Sequence, residues 1–172
     1  YINYYSSPLG KITLASNGNE LIGLWFEGQK YFGSTLNGEY KQKSLPVFEQ
    51  TAKWLDIYFS GKNPDFTPPL FLSSTSFRNE VWKILLTIPY GKIMTYGEIA
   101  KLMAENRGVE KMSARSVGGA VGHNPISIIV PCHRVVGTDG SLTGFAGGVD
   151  IKEKLLKFEN VDMSKLFVPK SK

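Results

Sequence analysis

The apolar residues of this chain change their spacing near residue 47, and that change limits the folds open to it. Before it, Lys11-Ile12-Thr13-Leu14-Ala15 and Leu21-Ile22-Gly23-Leu24-Trp25-Phe26 read as strands within a β-like stretch over residues 1–28. Between them, Ser16-Asn17-Gly18-Asn19-Glu20 carries the Asn-Gly pair that favours a hairpin. Ser7-Pro8-Leu9-Gly10 is a second predicted turn. From Val47 to Phe59 the apolar residues Phe48, Ala52, Leu55 and Phe59 return at helical intervals, and Gly61-Lys62-Asn63-Pro64 ends that helix. Strands followed by helices read as an α+β chain. Pro68-Pro69 marks a connection and a short apolar segment runs to Leu72. The domain boundary is predicted at residues 73–75, giving an N-terminal domain over 1–74 and a C-terminal domain over 75–172.

The second half predicts mainly helices. Val81, Ile84, Leu85 and Ile88 form one apolar face of a helix over about Ser76 to Ile88, which Pro89-Tyr90-Gly91 breaks. Thr95-Tyr96-Gly97-Glu98 has the form of a capping box, so Thr95 is the expected N-cap of a helix to about Ala104, with Ile99, Leu102 and Met103 inward. A polar connection, Glu105 to Glu110, leads to a helix from about Met112 to Gly122, and the pair reads as a helix-turn-helix. That second helix is made of small residues: Ser113, Ala114, Ser116, Gly118, Gly119 and Ala120. An interior glycine costs a helix about 1 kcal/mol relative to alanine. Either close packing on a neighbouring element or close approach to a ligand offsets that cost. After Asn124-Pro125, Ile126 to Val130 are expected to form a buried strand. Val135-Val136 and Leu142 flank a turn at Gly137-Thr138-Asp139-Gly140, and a last helix spans about Val149 to Phe158 with Ile151, Leu155, Leu156 and Phe158 inward.

The apolar segment leads to Pro131-Cys132-His133-Arg134-Val135, which holds the only cysteine of the chain and one of its two histidines. A lone thiol makes no intramolecular disulfide. Cys132 is therefore a buried hydrophobe, the commoner fate of a free cysteine, or a reactive thiol. A nearby imidazole can take the thiol proton and lower its pKa. Neighbours on a strand point to opposite faces, so adjacency alone does not make His133 that base.

Pro131-Cys132-His133-Arg134-Val135 resembles the active-site signature of the O6-alkylguanine-DNA alkyltransferases, also called methylated-DNA–protein-cysteine methyltransferases. The resemblance extends to Ala114-Arg115-Ser116-Val117-Gly118-Gly119-Ala120 and Asn124-Pro125 upstream. Downstream it takes in Gly144-Phe145-Ala146-Gly147-Gly148, Lys152-Glu153-Lys154-Leu155-Leu156 and Glu159. It implies a ribonuclease-H-like N-terminal β-sheet domain with a helix. The C-terminal domain would be mainly helical and winged-helix-like, with the helix-turn-helix. It also implies irreversible, stoichiometric transfer of an alkyl group from O6 of guanine (O4 of thymine being a second candidate) to Cys132 after nucleotide flipping. His133 would then be the base and Glu159 its orienting carboxylate, with Tyr96 the proton donor to the base ring. Asn124 would link the DNA-binding helix to the active-site segment. Arg115 would enter the base stack from a minor-groove helix carrying Ala114 and Gly118, while Arg78 is a candidate phosphate contact. Pro131, Val135, Phe145 and Ala146 would line the substrate pocket, with the carbonyls of Cys132 and Val135 and the amide of Ala146 reading the guanine edge. Many relatives have Tyr-Ser or Tyr-Ala where this chain has Phe145-Ala146, so larger adducts are expected to be handled differently.

Without the resemblance the alternatives stay open. Arg115 would be a surface salt-bridge residue, Tyr96 a packing aromatic, Asn124 a turn residue and Glu159 a solvated carboxylate. A non-catalytic damage sensor, a helix-turn-helix regulator and a cysteine hydrolase compete as functions. The cysteine counts against the first, since sensor relatives replace it. The Cys-His pair is unexplained by the second, and nothing specifies the oxyanion hole that the third needs.

Bulk properties narrow the classes further. The 172 residues, 42% hydrophobic and 12% aromatic, can bury a core. A net charge of +5 and a pI near 9.2 are compatible with nucleic acid as partner. Lys170 and Lys172 are expected to sit in a solvated tail. No apolar run reaches the roughly 18 residues of a membrane span. The opening Tyr1-Ile2-Asn3-Tyr4-Tyr5 lacks the regions of a signal peptide. One cysteine then suggests a reducing, intracellular setting, cytoplasmic in a prokaryote or nuclear in a eukaryote. Residues 1–75 contain neither Cys nor His, which excludes a Cys/His zinc site there. No metal and no cofactor are expected, and the protein is expected to act as a monomer on double-stranded DNA.

Overall fold

A computed structural model of the protein describes residues 1–169. The expectation for Lys170 and Lys172 lies outside the described residues. The architecture is α+β and falls into two compact units. Of the described residues, the first comprises 1–72 with Pro125–Ile129 and the second 73–124 with 130–169.

In the first unit three strands form an antiparallel meander: β1 (Ile2–Ser7), β2 (Gly10–Ser16) and β3 (Leu21–Phe26). Gly10 turns the first corner at φ +120°. At the second, Asn17 Oδ1 accepts from the amides of Asn19 and Glu20, the side chain closing the loop that Asn-Gly predicts. Helix α1 (Pro46–Phe59) has proline in its first turn, where a missing N–H costs nothing, and packs on β1 and β2. It buries Phe48, Trp54, Leu55 and Tyr58. Two later segments extend the sheet through β3: Leu70 bridges Leu21, and Ile126 bridges Leu24.

The second bridge corrects the strand expected over Ile126 to Val130. Only Ile126 pairs; residues 127–129 turn, with Ile128 at φ +70°. The backbone closes on itself instead, Ile129 N bonding to Ser127 O and Cys132 N to Val130 O, each at 2.8 Å. Burial explains the apolar run without a ladder, since Ile126, Ile128, Ile129 and Val130 are all buried.

In the second unit, α2 (Ser76–Leu85), α3 (Tyr96–Arg107) and α4 (Ala114–Gly122) pack on one another. Each begins at a hydroxyl cap: Thr75, Thr95 and Ser113 accept from the third amide of the following turn, that of Arg78, Glu98 and Ser116. Trp82 Nε1 donates to Ala120 O at 2.8 Å and so ties α2 to α4 inside the core. Helix α3 runs one turn past the predicted Ala104, to Arg107, because the left-handed Gly108 rather than the polar run stops it. The connection of the helix-turn-helix therefore shrinks to residues 108–113. Leu102, expected inward, is 38% exposed; Ile99, Ala100, Met103 and Ala104 form the buried face. Helix α2 ends at Leu85, short of Ile88, which is nonetheless buried.

Two short strands organise the site. β4 (Met94–Thr95) and β5 (Val135–Val136) pair in parallel, Met94 opposite Val135 and Thr95 opposite Val136. The residue after β4 is Tyr96 and the residues before β5 are Cys132–Arg134, so this pairing brings the two segments side by side. Helix α5 (Val149–Phe158) closes the unit, and Leu156 joins Val136, Leu142 and Val161 in a buried cluster.

Candidate active site

Pro131 starts a single turn of 3-10 helix, Cys132–Arg134, whose three side chains are all buried. This tight turn, rather than a strand, removes the objection that neighbouring residues must point to opposite faces. Cys132 is 4% exposed. Burial pushes its thiol above the ordinary range. The Asn124 side chain, the charge of Lys152 and the amides of Cys132 and His133 pull it back toward the thiolate.

His133 is completely buried and its Nε2 meets Glu159 Oε2, across 26 positions of sequence. Glu159 caps the end of α5, and its second oxygen accepts from Arg134 Nε at 2.7 Å and from Gly91 N at 3.1 Å. Arg134 also donates to Ile88 O at 2.7 Å. The carboxylate thus has a cation, an imidazole and an amide around it. Burial acts to raise its pKa, but His133 and Arg134 outweigh burial and bring it down to about 2. Burial also lowers His133 below its ordinary value, against the pull of Glu159. The imidazole is therefore neutral at rest. Because Nε2–H donates to the carboxylate, Nδ1 carries the lone pair.

Asn124 joins the end of α4 to this turn. It is buried, its Nδ2 donates to Val130 O at 2.8 Å, and its side chain also bonds the Cys132 thiol. Tyr96, half-buried at the start of α3, donates its hydroxyl to Thr143 O at 2.8 Å. Burial and the neighbouring Cys132 raise the phenol to about 12. Val135 and Phe145 are buried and Ala146 is half-buried. The Cys132 carbonyl already accepts from Val135 N. The other histidine, His123, lies outside this group; its Nδ1 is 2.7 Å from Gly119 O, at the end of α4.

The predicted DNA-binding residues stand apart from the buried group. Ala114, Arg115, Ser116 and Gly119 are exposed along α4, whose other side buries Val117, Ala120 and Val121. Arg115 forms no ion pair among the described residues, so the surface salt bridge is not realised. A methyl group on Gly119 would meet nothing within 4 Å, and one on Gly118 would lie in ordinary contact, 3.8 Å, with the Tyr96 ring. Close packing therefore does not require either glycine. Arg78 is half-buried in the first turn of α2.

One buried residue was not among those predicted. Lys152, on α5, has no exposed surface, and its Nζ donates to Thr143 O at 2.7 Å, the carbonyl that Tyr96 also uses. The sequence held a signal for it: Lys152, Leu155, Leu156 and Glu159 recur at i, i+3, i+4 and i+7, one helix face, with two charged residues among the apolar ones. Among the described residues no group of three or more His, Cys, Asp or Glu could hold a metal ion, and no helix is long and apolar enough to cross a membrane.

Comparison with known proteins adds independent findings. Residues 76–161 match the profile of the 6-O-methylguanine DNA methyltransferase DNA-binding domain, and residues 1–72 that of the ribonuclease-like domain of the same family. A methylated-DNA–protein-cysteine methyltransferase of Haemophilus influenzae is 40% identical over 162 residues, 94% of this chain and 87% of that protein. One from Methanosarcina barkeri is 44% identical over 160 residues, 92% of this chain and 96% of that protein. Among solved structures, Mycobacterium tuberculosis OGT in complex with DNA superposes with a TM-score of 0.79 at 40% identity, covering 96% of this chain and 94% of that one.

Proposed function

Because this chain belongs to the 6-O-methylguanine DNA methyltransferase family, whose curated members are methylated-DNA–protein-cysteine methyltransferases, we propose a role for each residue of its site. The protein repairs DNA by moving an alkyl group from alkylated guanine to a cysteine of its own, and DNA is its partner. Cys132, the only cysteine, is the acceptor. Its thiol proton passes to Nδ1 of His133, directly or through a water. The sulfur then attacks the alkyl carbon on O6: an S–C bond forms, the C–O6 bond breaks, and the electron pair goes to the guanine ring. Tyr96 turns its hydroxyl from Thr143 O to ring N3 and protonates the departing base, which would leave poorly as an anion, and the phenolate regains a proton through water as the imidazolium of His133 gives up the one taken from the thiol. Glu159 holds His133 and stabilises the imidazolium, as in other nucleophile–base–carboxylate sets.

The observation that carries this reading is the buried His133–Glu159 contact on the turn that bears Cys132. A structural cysteine needs no neutral base beside it and no buried carboxylate behind that base.

A methyl group on O6 lies inside the duplex, so the nucleotide must leave the stack at a cost of a few kcal/mol. The small-residue face of α4, with Ala114 and Gly118, enters the minor groove, and Arg115 takes the vacated space. Arg78 contacts phosphate, Pro131 and Phe145 wall the alkyl pocket, and the carbonyls of Cys132 and Val135 with the Ala146 amide read the guanine edge. O4-alkylthymine is a second substrate. The protein works as a monomer in the compartment that holds the DNA, the cytoplasm of a prokaryote or the nucleus of a eukaryote. The product is a thioether that nothing in the site hydrolyses, so each molecule acts once.

The test is incubation with an excess of duplex carrying one O6-methylguanine, followed by peptide mass spectrometry. One added methyl on Cys132, one equivalent of guanine restored and no further turnover are expected. Binding without methyl transfer would leave a damage sensor, and repeated turnover would overturn the single-use mechanism.

A further inference from the structure

Lys152 is a buried cation with no carboxylate within ion-pair distance among the described residues. Its ammonium meets a carbonyl, Thr143 O at 2.7 Å, and lies 5.9 Å from the centre of the Tyr96 ring. A carbonyl dipole and a ring face do not offset the several kcal/mol that desolvating an ammonium costs. Its charge acts on Cys132 and His133 of the 3-10 turn and its Nζ lies over the Tyr96 ring at the start of α3, while the site's remaining charged groups are Arg134 on that turn and Glu159 at the end of the lysine's own helix. Glu159 is committed to His133 and Arg134. Arg134 carries the same sign as Lys152, and burial keeps His133 neutral. Two acidic groups are left, the Tyr96 phenol and the Cys132 thiol; burial and the neighbouring Cys132 raise the phenol to about 12, so it stays neutral and the thiol is the group that can balance Lys152.

We propose that Lys152 is the counter-charge of the Cys132 thiolate: it stabilises the anion left on sulfur when the thiol proton passes to His133. The proposal rests on the alkyl-transfer reading only for its purpose, since the pairing itself concerns the free protein. Burial lowers Lys152 to about 8 while Cys132 acts to raise it, and the lysine in turn favours the thiolate. Before the S–C bond forms, the electron pair on sulfur faces a fixed positive charge. After alkylation the sulfur can no longer ionise, so the lysine has lost the group that could balance it.

The linkage has a definite sign. A lysine whose folded pKa lies below its ordinary 10.5 costs the fold stability while charged, and the cost is relieved as pH rises from about 8 toward 10.5. Replacing Lys152 by methionine should therefore leave the melting temperature unchanged or raised, unlike the loss of a structural tether.

The experiment measures the rate at which iodoacetamide alkylates Cys132 as a function of pH, in the full chain and in Lys152→Met and Lys152→Gln. Glutamine can keep the hydrogen bond to Thr143 but not the charge. Both variants should move the midpoint up by about one pH unit and react about tenfold more slowly at pH 7. A glutamine variant with the wild-type profile would show that the lysine is only a tether and would overturn the proposal, as would an unmoved midpoint in a folded methionine variant. In parallel, methyl transfer from O6-methylguanine duplex to the wild-type protein tests the function itself. Failure there, with the iodoacetamide profile still shifted in the variants, would sink the alkyl-transfer reading and leave the thiolate–lysine pair standing.

Discussion

Two parts of the second unit face the same task in opposite ways. Behind Cys132, the carboxylate of Glu159 already has His133, Arg134 and the Gly91 amide around it, and the histidine and glutamate are fully buried before any substrate arrives. On α4, Arg115 stands exposed among residues too small to cover it. The first region is set in advance, because groups that must receive a proton in a dry site cannot be arranged at the moment of reaction. The second is left open, and in the proposed reading the DNA is what covers it. Asn124 connects them, reaching from the end of α4 to Val130 and the thiol. Mutations should accordingly split into those that disturb the fold or the chemistry and those that disturb only DNA engagement.

The largest expected effect is at the sulfur. Cys132→Ser should abolish transfer of labelled methyl from O6-methylguanine duplex, while a gel-shift assay shows DNA binding retained. Residual transfer would mean another acceptor. Next comes the carboxylate. Glu159→Gln leaves the Arg134 cation buried without its counter-charge, and breaking a buried pair typically costs about 3–5 kcal/mol. Urea unfolding at pH 7 measures this, and a loss within about 0.5 kcal/mol would place Glu159 with ordinary surface residues.

Acid should expose the same network. A carboxylate held at about 2 in the fold, below its ordinary 4.5, supplies stability that is present above 4.5 and lost as pH falls through the folded value. His133, lowered in the fold, acts in the same direction as pH falls below its ordinary 6.5. For Glu159 the loss is on the order of 3 kcal/mol between pH 5 and 2. Denaturant titrations over that range should show a steep decline in the wild type and a shallower one in Glu159→Gln; parallel slopes would contradict the assignment.

The smallest effect belongs to the open face. Gly119→Ala should stabilise the protein by about 0.5–1 kcal/mol, because the helix gains a better former and the methyl meets no neighbour. Its affinity for duplex, followed by fluorescence anisotropy, should fall. A variant both more stable and equally tight would show that the smooth face is not used.

What could be read from the sequence follows the range of the forces involved. Hydroxyl caps act within four residues, so the start of α3 was legible from Thr95; Ser113, read as a small residue inside a helix from about Met112, is instead the cap of α4. The strands β2 and β3 followed from alternation and an Asn-Gly turn. The stretch from Ile126 to Val130 was not, because an apolar run states that it is buried without stating what pairs with it. Only Ile126 finds a strand. Leu102 was misplaced by counting it into the apolar stripe, although the packing of α2 and α4 on α3 uses Ala100 and Ala104 instead. At the site, Cys132 and His133 are neighbours and could be seen together. Glu159 lies 26 positions from His133, so its contact depends on how α5 is placed, and resemblance alone had suggested it. Lys152 becomes legible only when its helix face is counted, since a lysine taken singly reads as solvated.

The proposed division between a prearranged interior and an open face for DNA is tested most directly by Arg115→Ala, assayed in single-turnover experiments on O6-methylguanine duplex and on free O6-benzylguanine. The expected result is a loss of about tenfold or more on duplex, where the vacated stack must be filled, and little change on the free base, which needs no flipping. Equal losses on the two substrates would contradict it.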